Sequence, residues 1–140
     1  MNSCVSILKR NFGRRTKMGT NPICTSVEQS KMLIKLGISE ETADLYYILR
    51  RNSEPRLALF NATLPSGMLN SISAWSLSAL INLLPSFIEE KQVEYCLMIA
   101  AADRVVYWNP EKDNLFETTQ ANLIDAVVET IIWLVTEKHI

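Results

Sequence analysis

The clearest hydrophobic pattern in the chain is a helical one over residues 73–85. Its apolar side chains recur at positions i, i+3, i+4 and i+7, which together form one stripe of a helix. They are Leu77, Leu80, Ile81 and Leu84. Trp75, Ser78 and Asn82 fall on the opposite side of this predicted helix. Because Trp75 points away from the apolar stripe, we expect a second surface to cover it, either residues 65–68 of this chain or a partner.

The most apolar segment is the last one, where a helix is predicted from residue 123 to about residue 137. Asn122 is suited to cap its start, and Asp125 stands at the third helical position. The apolar arc consists of Leu123, Ile124, Val127, Val128, Ile131, Leu134 and Val135. The polar stripe is narrow and consists of Asn122, Asp125, Glu129 and Thr136, with Trp133 at its margin. Such a helix is buried on more than one side, so we expect it beneath other helices on a sheet or at the boundary of a homodimer.

Shorter patterns predict the first elements. Thr25 and Glu28 form a capping box for a helix that runs to residue 36 and ends at Gly37, a left-handed C-cap. Residues 45–49 are aromatic and β-branched, which predicts a strand, with a continued helix as the competing interpretation. Residues 56–60 are predicted to return as the second strand of a hairpin.

The second half of the chain is rich in predicted strands. Strand patterns occur at residues 93–99, 105–108 and 115–118, and residues 89–91 are predicted to be a solvated connection. Residues 93–99 become apolar on both faces, which is typical of a central strand. The sequence therefore predicts an α+β fold, an antiparallel sheet of three to five strands packed with two main helices and a shorter helix.

Composition narrows the class of protein. A chain of 140 residues with 48% apolar side chains fits one globular domain, predicted at residues 24–140 after a basic, disordered extension at residues 1–23. No apolar run approaches the ~18–20 residues that cross a bilayer, so no membrane association is expected. The three cysteines, Cys4, Cys24 and Cys96, have no paired spacing. We therefore expect neither a disulfide framework nor a zinc site, and we predict a cytoplasmic protein with Cys96 as an inert core thiol.

Charge is distributed unevenly along the chain. Residues 1–17 hold five basic and no acidic side chains, whereas residues 18–140 hold nine basic and fifteen acidic ones. The basic residues of the first segment are Lys9, Arg10, Arg14, Arg15 and Lys17. They form a candidate nucleic-acid arm, while the net charge of −6 on the remainder makes nucleic-acid binding by the folded domain improbable. The alternatives are a solvated tail, or upstream sequence if translation starts at Met18 rather than Met1.

Candidate chemistry is sparse. His139 is the only histidine and lies next to the end, so no Ser–His or Cys–His nucleophile pair can be assembled. Asp125 and Glu129 share a helix face at i, i+4, which we interpret as a solvated face. Glu40, Glu41 and Asp44 are clustered at the predicted start of a short helix, and we interpret them as side chains that complement the helix dipole. We expect no catalytic residue, metal or cofactor. A carboxylate-dependent hydrolase that uses Asp44 and Asp125 is the enzymatic alternative.

Four blocks of the sequence resemble one family of proteins. They are residues 24–30, residues 43–47, residues 74–85 with the Ala-Trp-Ser-Leu motif, and residues 123–134. This set is similar to short, uncharacterised proteins carried by prophages and mobile elements of gut anaerobic bacteria. The resemblance extends from residue 24 to residue 140 and departs at Ser73, where the family often has proline, and over residues 50–71. It implies a phage or mobile-element context and no particular activity.

These observations favour a non-catalytic protein–protein interaction or accessory factor. The predicted interaction surface consists of Trp75, Ser78, Asn82 and Trp133. A second candidate is a polar and aromatic ligand patch of Asp44, Tyr46 and Tyr47. The predicted partner is an unknown protein, with a homodimer through the C-terminal helix as a further prediction. Nucleic-acid binding through the basic arm is the main alternative.

Overall fold

The structure, a computed structural model, describes residues 22–50, 52–59, 70–101 and 103–140. Within these residues the chain forms three α-helices, a 3₁₀ turn at Glu40–Thr42 and seven strands. The helices are α1 (Val27–Lys35), α2 (Leu77–Ile81) and α3 (Leu123–Thr136). The strands are β1 (Leu45–Leu49), β2 (Arg56–Leu59), β3 (Asn70–Ala74), β4 (Phe87–Glu90), β5 (Val93–Ala100), β6 (Arg104–Asn109) and β7 (Lys112–Thr119). The predicted α+β class is confirmed, and the strands are divided between two antiparallel sheets.

The first sheet has the strand order β2-β1-β3. The predicted hairpin of β1 and β2 is confirmed, with Leu45 opposite Leu59. The sequence does not predict the third strand, β3, because Ser73 and Ala74 fall within the segment whose pattern predicts a helix and residues 70–72 show no strand signal. Ser73 and Ala74 instead pair with Tyr46 and Leu45. The helix begins only after Ser76, whose side chain accepts a hydrogen bond from the Ala79 amide, and it ends at Ile81.

The first helix is capped one residue later than predicted. Ser26 is the N-cap, and its hydroxyl accepts from the Gln29 amide while the Gln29 side chain accepts from the Ser26 amide. Thr25 is engaged elsewhere, because its amide donates to the carbonyl of Trp75 at 2.9 Å. The predicted C-cap is confirmed, since Gly37 has a φ of 94°, in the left-handed region that favours glycine.

The second sheet has the strand order β4-β5-β6-β7, so the predicted central position of β5 is confirmed. Strand β4 lies where a solvated connection was predicted. Lys91 and Gln92 both have left-handed φ values, 52° and 67°, and join β4 to β5. A two-residue turn with positive φ at both positions matches the twist of an antiparallel hairpin, which explains how Lys91 and Gln92 alone can join β4 to β5.

Helix α3 contributes buried apolar side chains to the core that lies between the helices and the inner face of the second sheet. Its predicted cap is confirmed, since the Asn122 side chain accepts from the Asp125 amide at 2.9 Å. Ile131 and Leu134 are completely buried. Most of the apolar arc is buried within the chain, whereas Leu123 and Val135 are half-buried. The homodimer through this helix stays a prediction. Across the described residues, no helix combines the length and apolarity that a bilayer crossing requires.

Candidate functional site

Trp75 lies in the core and not on the surface. Its side chain is 0% exposed, and its indole N–H donates to the Thr42 hydroxyl at 2.9 Å. Its backbone amide donates to the Thr25 hydroxyl at 3.0 Å. The prediction that Trp75 anchors a partner is wrong, because the residue lies between β3 and α2 and its side chain is completely buried within the chain. The alternative, that Trp75 completes the core, is confirmed, although residues 65–68 lie outside the described residues.

The other members of that predicted interaction surface are not brought together. Trp133 is buried and stacks on Phe116, with ring centroids 4.4 Å apart. Ser78 of α2 and Asn82, the C-cap of α2, are exposed, whereas the two tryptophans of the predicted set are buried. The short length of α2 explains this outcome, since Trp75 precedes the helix and does not share its face. No interaction surface forms from these four residues.

The predicted ligand patch of Asp44, Tyr46 and Tyr47 is occupied by structural contacts. The Asp44 carboxylate accepts hydrogen bonds from both the amide and the hydroxyl of Ser76, at 2.8 and 2.5 Å, so it reinforces the start of α2. Tyr46 is buried. The Tyr47 hydroxyl donates to the carbonyl of Thr25 at 2.7 Å. Adjacent strand residues point to opposite faces, so the two tyrosines cannot line one patch.

The carboxylates of α3 are buried, so their interpretation as a solvated face is wrong. Asp125 and Glu129 are 7% and 8% exposed. Gln29 of α1 donates to Asp125 at 2.8 Å, and Asn122 donates to its other oxygen at 2.9 Å. Gln120 donates to Glu129. These hydrogen bonds tie α1 and the β7–α3 connection to α3, and they explain how the carboxylates are accommodated away from water.

The chemistry suggested by the remaining titratable groups is limited. Glu40, Glu41, Ala43 and Ser73 line an open depression of about 510 Å³, in which the Ser73 hydroxyl donates to Glu40 at 3.0 Å. In the described part of the chain no group of three or more histidine, cysteine or acidic residues is arranged to hold a metal ion. Burial, the largest effect, raises the pKa of the Cys24 thiol, so this sulfur is a poor nucleophile at neutral pH.

The predicted nucleic-acid arm cannot be compared with the structure. Its residues, Lys9, Arg10, Arg14, Arg15 and Lys17, lie outside the described residues. The arm therefore stays a prediction.

The most distinctive surface is the outer face of the second sheet. Strand β5 alternates, so that Val93, Tyr95, Leu97 and Ile99 are less exposed than Glu94, Cys96 and Met98. Phe87, Cys96 and Trp108 stand opposite one another across β4, β5 and β6. Phe87 is 58% exposed, and Met98 and Trp108 are each 37% exposed. These four residues, Phe87, Cys96, Met98 and Trp108, are the outer strip. Phe87, Cys96 and Trp108 form a cross-strand row, and Met98 lies beside it on a face that α3 does not cover. Val106, which pairs with Met98 on the same face, is completely buried.

Charged residues stand at the two ends of the outer strip. Glu89 and Glu94 are cross-strand neighbours at the end where β5 begins. Arg104 pairs with Ala100 at the opposite end of β5. Its guanidinium contacts Glu117 of β7 at 2.7 Å. The Arg104 Nε is buried and has no hydrogen-bond partner. The outer face is therefore apolar at its centre, carries two carboxylates at one end and holds the Arg104–Glu117 ion pair at the other.

Sequence reasoning missed this surface because it assigned β5 to a strand that is buried on both faces. The prediction of Cys96 as a core thiol is wrong, since Cys96 is a free, exposed cysteine. The signal was present in Glu94, which shares its face with Cys96 and Met98 because side chains alternate along a strand. Strand β4 had not been predicted, so Phe87 could not be placed beside them.

Comparison with known proteins gave no match, since no protein-family model, no curated protein and no solved structure matches the chain. The outer strip is therefore defined by its geometry alone. Aromatic and methionine side chains are the types enriched where proteins contact one another, and a row of them on an uncovered sheet face can bind an apolar surface.

Proposed function

We propose that this protein is a non-catalytic protein-interaction factor that binds through the outer strip. The single observation that carries the proposal is the exposure of Phe87, Met98 and Trp108 on one face of the second sheet, where Phe87 and Trp108 flank Cys96. An antiparallel sheet with one solvated face ordinarily carries polar residues there. Exposed apolar rows of this kind mark interaction sites more often than they mark ordinary surface.

Charge favours a protein partner over a nucleic acid. Glu89, Glu94 and Glu117 lie on the outer face, where Arg104 is the basic residue that the strand pairing places among them. A phosphate backbone would be repelled by such a face. The carboxylates that the hydrolase alternative would need, Asp44 and Asp125, already accept hydrogen bonds within the fold.

The biological setting belongs to the same proposal. The resemblance to proteins of prophages and mobile elements supports a role as an accessory factor of such an element. A free thiol at Cys96 on the surface supports a reducing compartment, the cytoplasm.

The test is affinity capture from cells that express the protein, with a matched pair of double variants. Phe87→Ala with Trp108→Ala removes the aromatic centre of the outer strip. Ser78→Ala with Asn82→Ala changes an exposed residue of α2 and its exposed C-cap residue, and serves as the control. Loss of aromatic anchors at an interface weakens binding by about 2 kcal/mol or more, which is roughly 30-fold. A bound protein should be lost with the first variant and kept with the second. Equal retention by both variants would refute the proposal.

A further inference from the structure

We infer that the turn after α3 is a pH-responsive clasp, which is closed most firmly when the imidazole of His139 is charged. The turn lies on the side of the second sheet that α3 covers, away from the outer strip. It places the only histidine of the chain between the ring of Trp133 and the carboxylate of Glu90, next to a residue with a strained backbone.

The backbone of the turn closes the end of α3 with two hydrogen bonds. The His139 amide donates to the Leu134 carbonyl at 2.8 Å, and the Lys138 amide donates to the Val135 carbonyl at 3.2 Å. These two bonds define a Schellman motif, in which the residue at the position of Lys138 is left-handed and is usually glycine. Lys138 has a φ of 60°, which is unfavourable for a residue with a side chain. The closed turn therefore depends on further contacts, which His139 supplies.

The imidazole of His139 packs on the aromatic end of the core. Its ring centroid lies 5.0 Å from that of Trp133, and Trp133 in turn stacks on Phe116. A Schellman turn frequently has an apolar side chain at this position, in contact with the last turns of the helix. Here the position is occupied by histidine, the side chain that gains its charge between about pH 5 and 8. The contact that closes the turn can therefore change within this range.

Three features of the surroundings favour the charged imidazole. Its Nε2 lies 3.9 Å from the Glu90 carboxylate of β4, and the two form an ion pair when the ring is protonated. A cation within about 6 Å of a tryptophan ring is attracted by the π-electrons of the ring. The last carbonyls of α3 also carry a partial negative charge. The side chain of His139 is only 18% exposed, so water screens these attractions in part.

The other titratable groups near the turn do not reverse this balance. Glu137 and Lys138 belong to the turn itself, are exposed and have opposite charges. Lys91 of the β4–β5 turn is also exposed. Tyr107 of β6 lies on the far side of Trp133, with ring centroids 6.0 Å apart, and burial raises the pKa of its phenol, which stays neutral. Protonation of the imidazole therefore strengthens the closed turn, and this gain is lost as the pH rises and the imidazole becomes neutral.

The expected change is modest. A charge near the end of a helix or over an aromatic ring at a partly exposed site corresponds to about a two- to fivefold change in an equilibrium constant. We expect the ratio of closed to open turn to change by about three- to fivefold between acidic and alkaline solution. Because an open turn uncovers the ring of Trp133, the pH would set the access of solvent and ligands to the aromatic end of the core.

The experiment is NMR spectroscopy of the full chain at about pH 5.5 and about pH 8. Solvent exchange of the amide of residue 139, corrected for the intrinsic exchange rate at each pH, measures how often the turn opens. We expect about three- to fivefold higher protection at the lower pH in the wild type. His139→Phe keeps a ring against Trp133 and cannot be charged, so its protection should be the same at both pH values.

Two matched variants on β4 test the carboxylate. Glu90→Gln removes the charge that faces the imidazole, and it should reduce the effect of pH. Glu89→Gln removes a charge from the opposite face of the same strand, since neighbouring strand residues alternate, and it should leave the effect unchanged. Lys138→Gly relieves the strained φ and should raise the protection severalfold at both pH values, which checks that the amide reports on this turn.

The outcomes decide the assignment of the clasp. A pH effect that is present in the wild type, absent from His139→Phe and reduced only by Glu90→Gln supports it. Protection that is independent of pH in the wild type would overturn it, as would an undiminished pH effect in His139→Phe, because the titrating group would then lie elsewhere. Equal effects of Glu89→Gln and Glu90→Gln would also overturn it. None of these measurements involves the outer strip, so the proposed function is tested separately.

Discussion

Replacement of Trp75 by alanine is the sharpest test of which aromatic residues hold the fold and which lie on the outer face. Trp75 is fully buried and its indole N–H donates to Thr42 at 2.9 Å. A buried aromatic side chain removes about 150–250 Å² from water, which at about 25 cal/mol per Å² corresponds to an upper limit of about 4–6 kcal/mol. Measured losses for such truncations are about 3–5 kcal/mol. We expect Trp75→Ala to lower the free energy of unfolding by that amount.

Phe87→Ala provides the matched control, because Phe87 is 58% exposed on the edge strand β4. Less than half of its ring area leaves water on folding, so its truncation should cost at most about 2 kcal/mol. A cavity would not form at an exposed site. The larger loss of stability is therefore expected for Trp75, the residue that the sequence pattern places on the surface.

Urea denaturation followed by far-ultraviolet circular dichroism measures both changes. A whole domain has a stability of about 5–15 kcal/mol, so Trp75→Ala can be partly unfolded without urea. Trp75→Phe is then the useful variant, since it keeps most of the apolar area and loses the indole hydrogen bond, at a net cost of about 1 kcal/mol from the bond. A loss below about 1 kcal/mol for Trp75→Ala, or equal losses for Trp75→Ala and Phe87→Ala, would refute the placement of Trp75 in the core.

Two further predictions follow from burial. Burial raises the pKa of the Tyr107 phenol, whose hydroxyl donates to the Pro85 carbonyl at 2.7 Å. Because the unfolded chain loses this proton at a lower pH than the folded chain, the free energy of unfolding should fall as the pH rises above about 10. Thermal melts should show a smaller fall in the Tyr107→Phe variant. In a Cys4→Ser background, iodoacetamide should label the exposed Cys96 quickly and the buried Cys24 only in urea. Equal labelling rates in the native protein, read by mass spectrometry, would contradict the alternation of β5.

Local signals predicted the elements whose boundaries depend on nearby residues. Asn122 caps α3 as expected because its side chain bonds to the amide three residues later, a contact that the sequence spacing alone specifies. Gly37 ends the first helix as expected because a left-handed conformation favours glycine. The hairpin of β1 and β2 was predictable because its residues have β propensity and are separated by a polar turn.

Boundaries that depend on distant residues were not predictable. Thr25-x-x-Glu28 and Ser26-x-x-Gln29 both fit a capping box, and the sequence pattern does not distinguish them. The second box forms because Thr25 is held by hydrogen bonds to Trp75, fifty residues away, and because Gln29 also reaches Asp125. The start of α2 also depends on a distant residue. Ser73 lies at the start of the helical pattern but pairs with Tyr46 in the first sheet, so the helix begins later and Ser76 is its N-cap.

The outer strip was not predicted because the sequence does not show which face of β5 is covered by the rest of the chain. Strand β5 resembles a buried central strand because apolar side chains occupy both of its faces, yet α3 covers only one of them. Cys96 and Met98 are therefore exposed on a face where an antiparallel sheet ordinarily carries polar residues. Departures from such a pattern without a local gain are expected where a surface is used for something other than stability. The excess of apolar side chains on β5 is accounted for if a second surface, provided by a partner protein, covers its outer face.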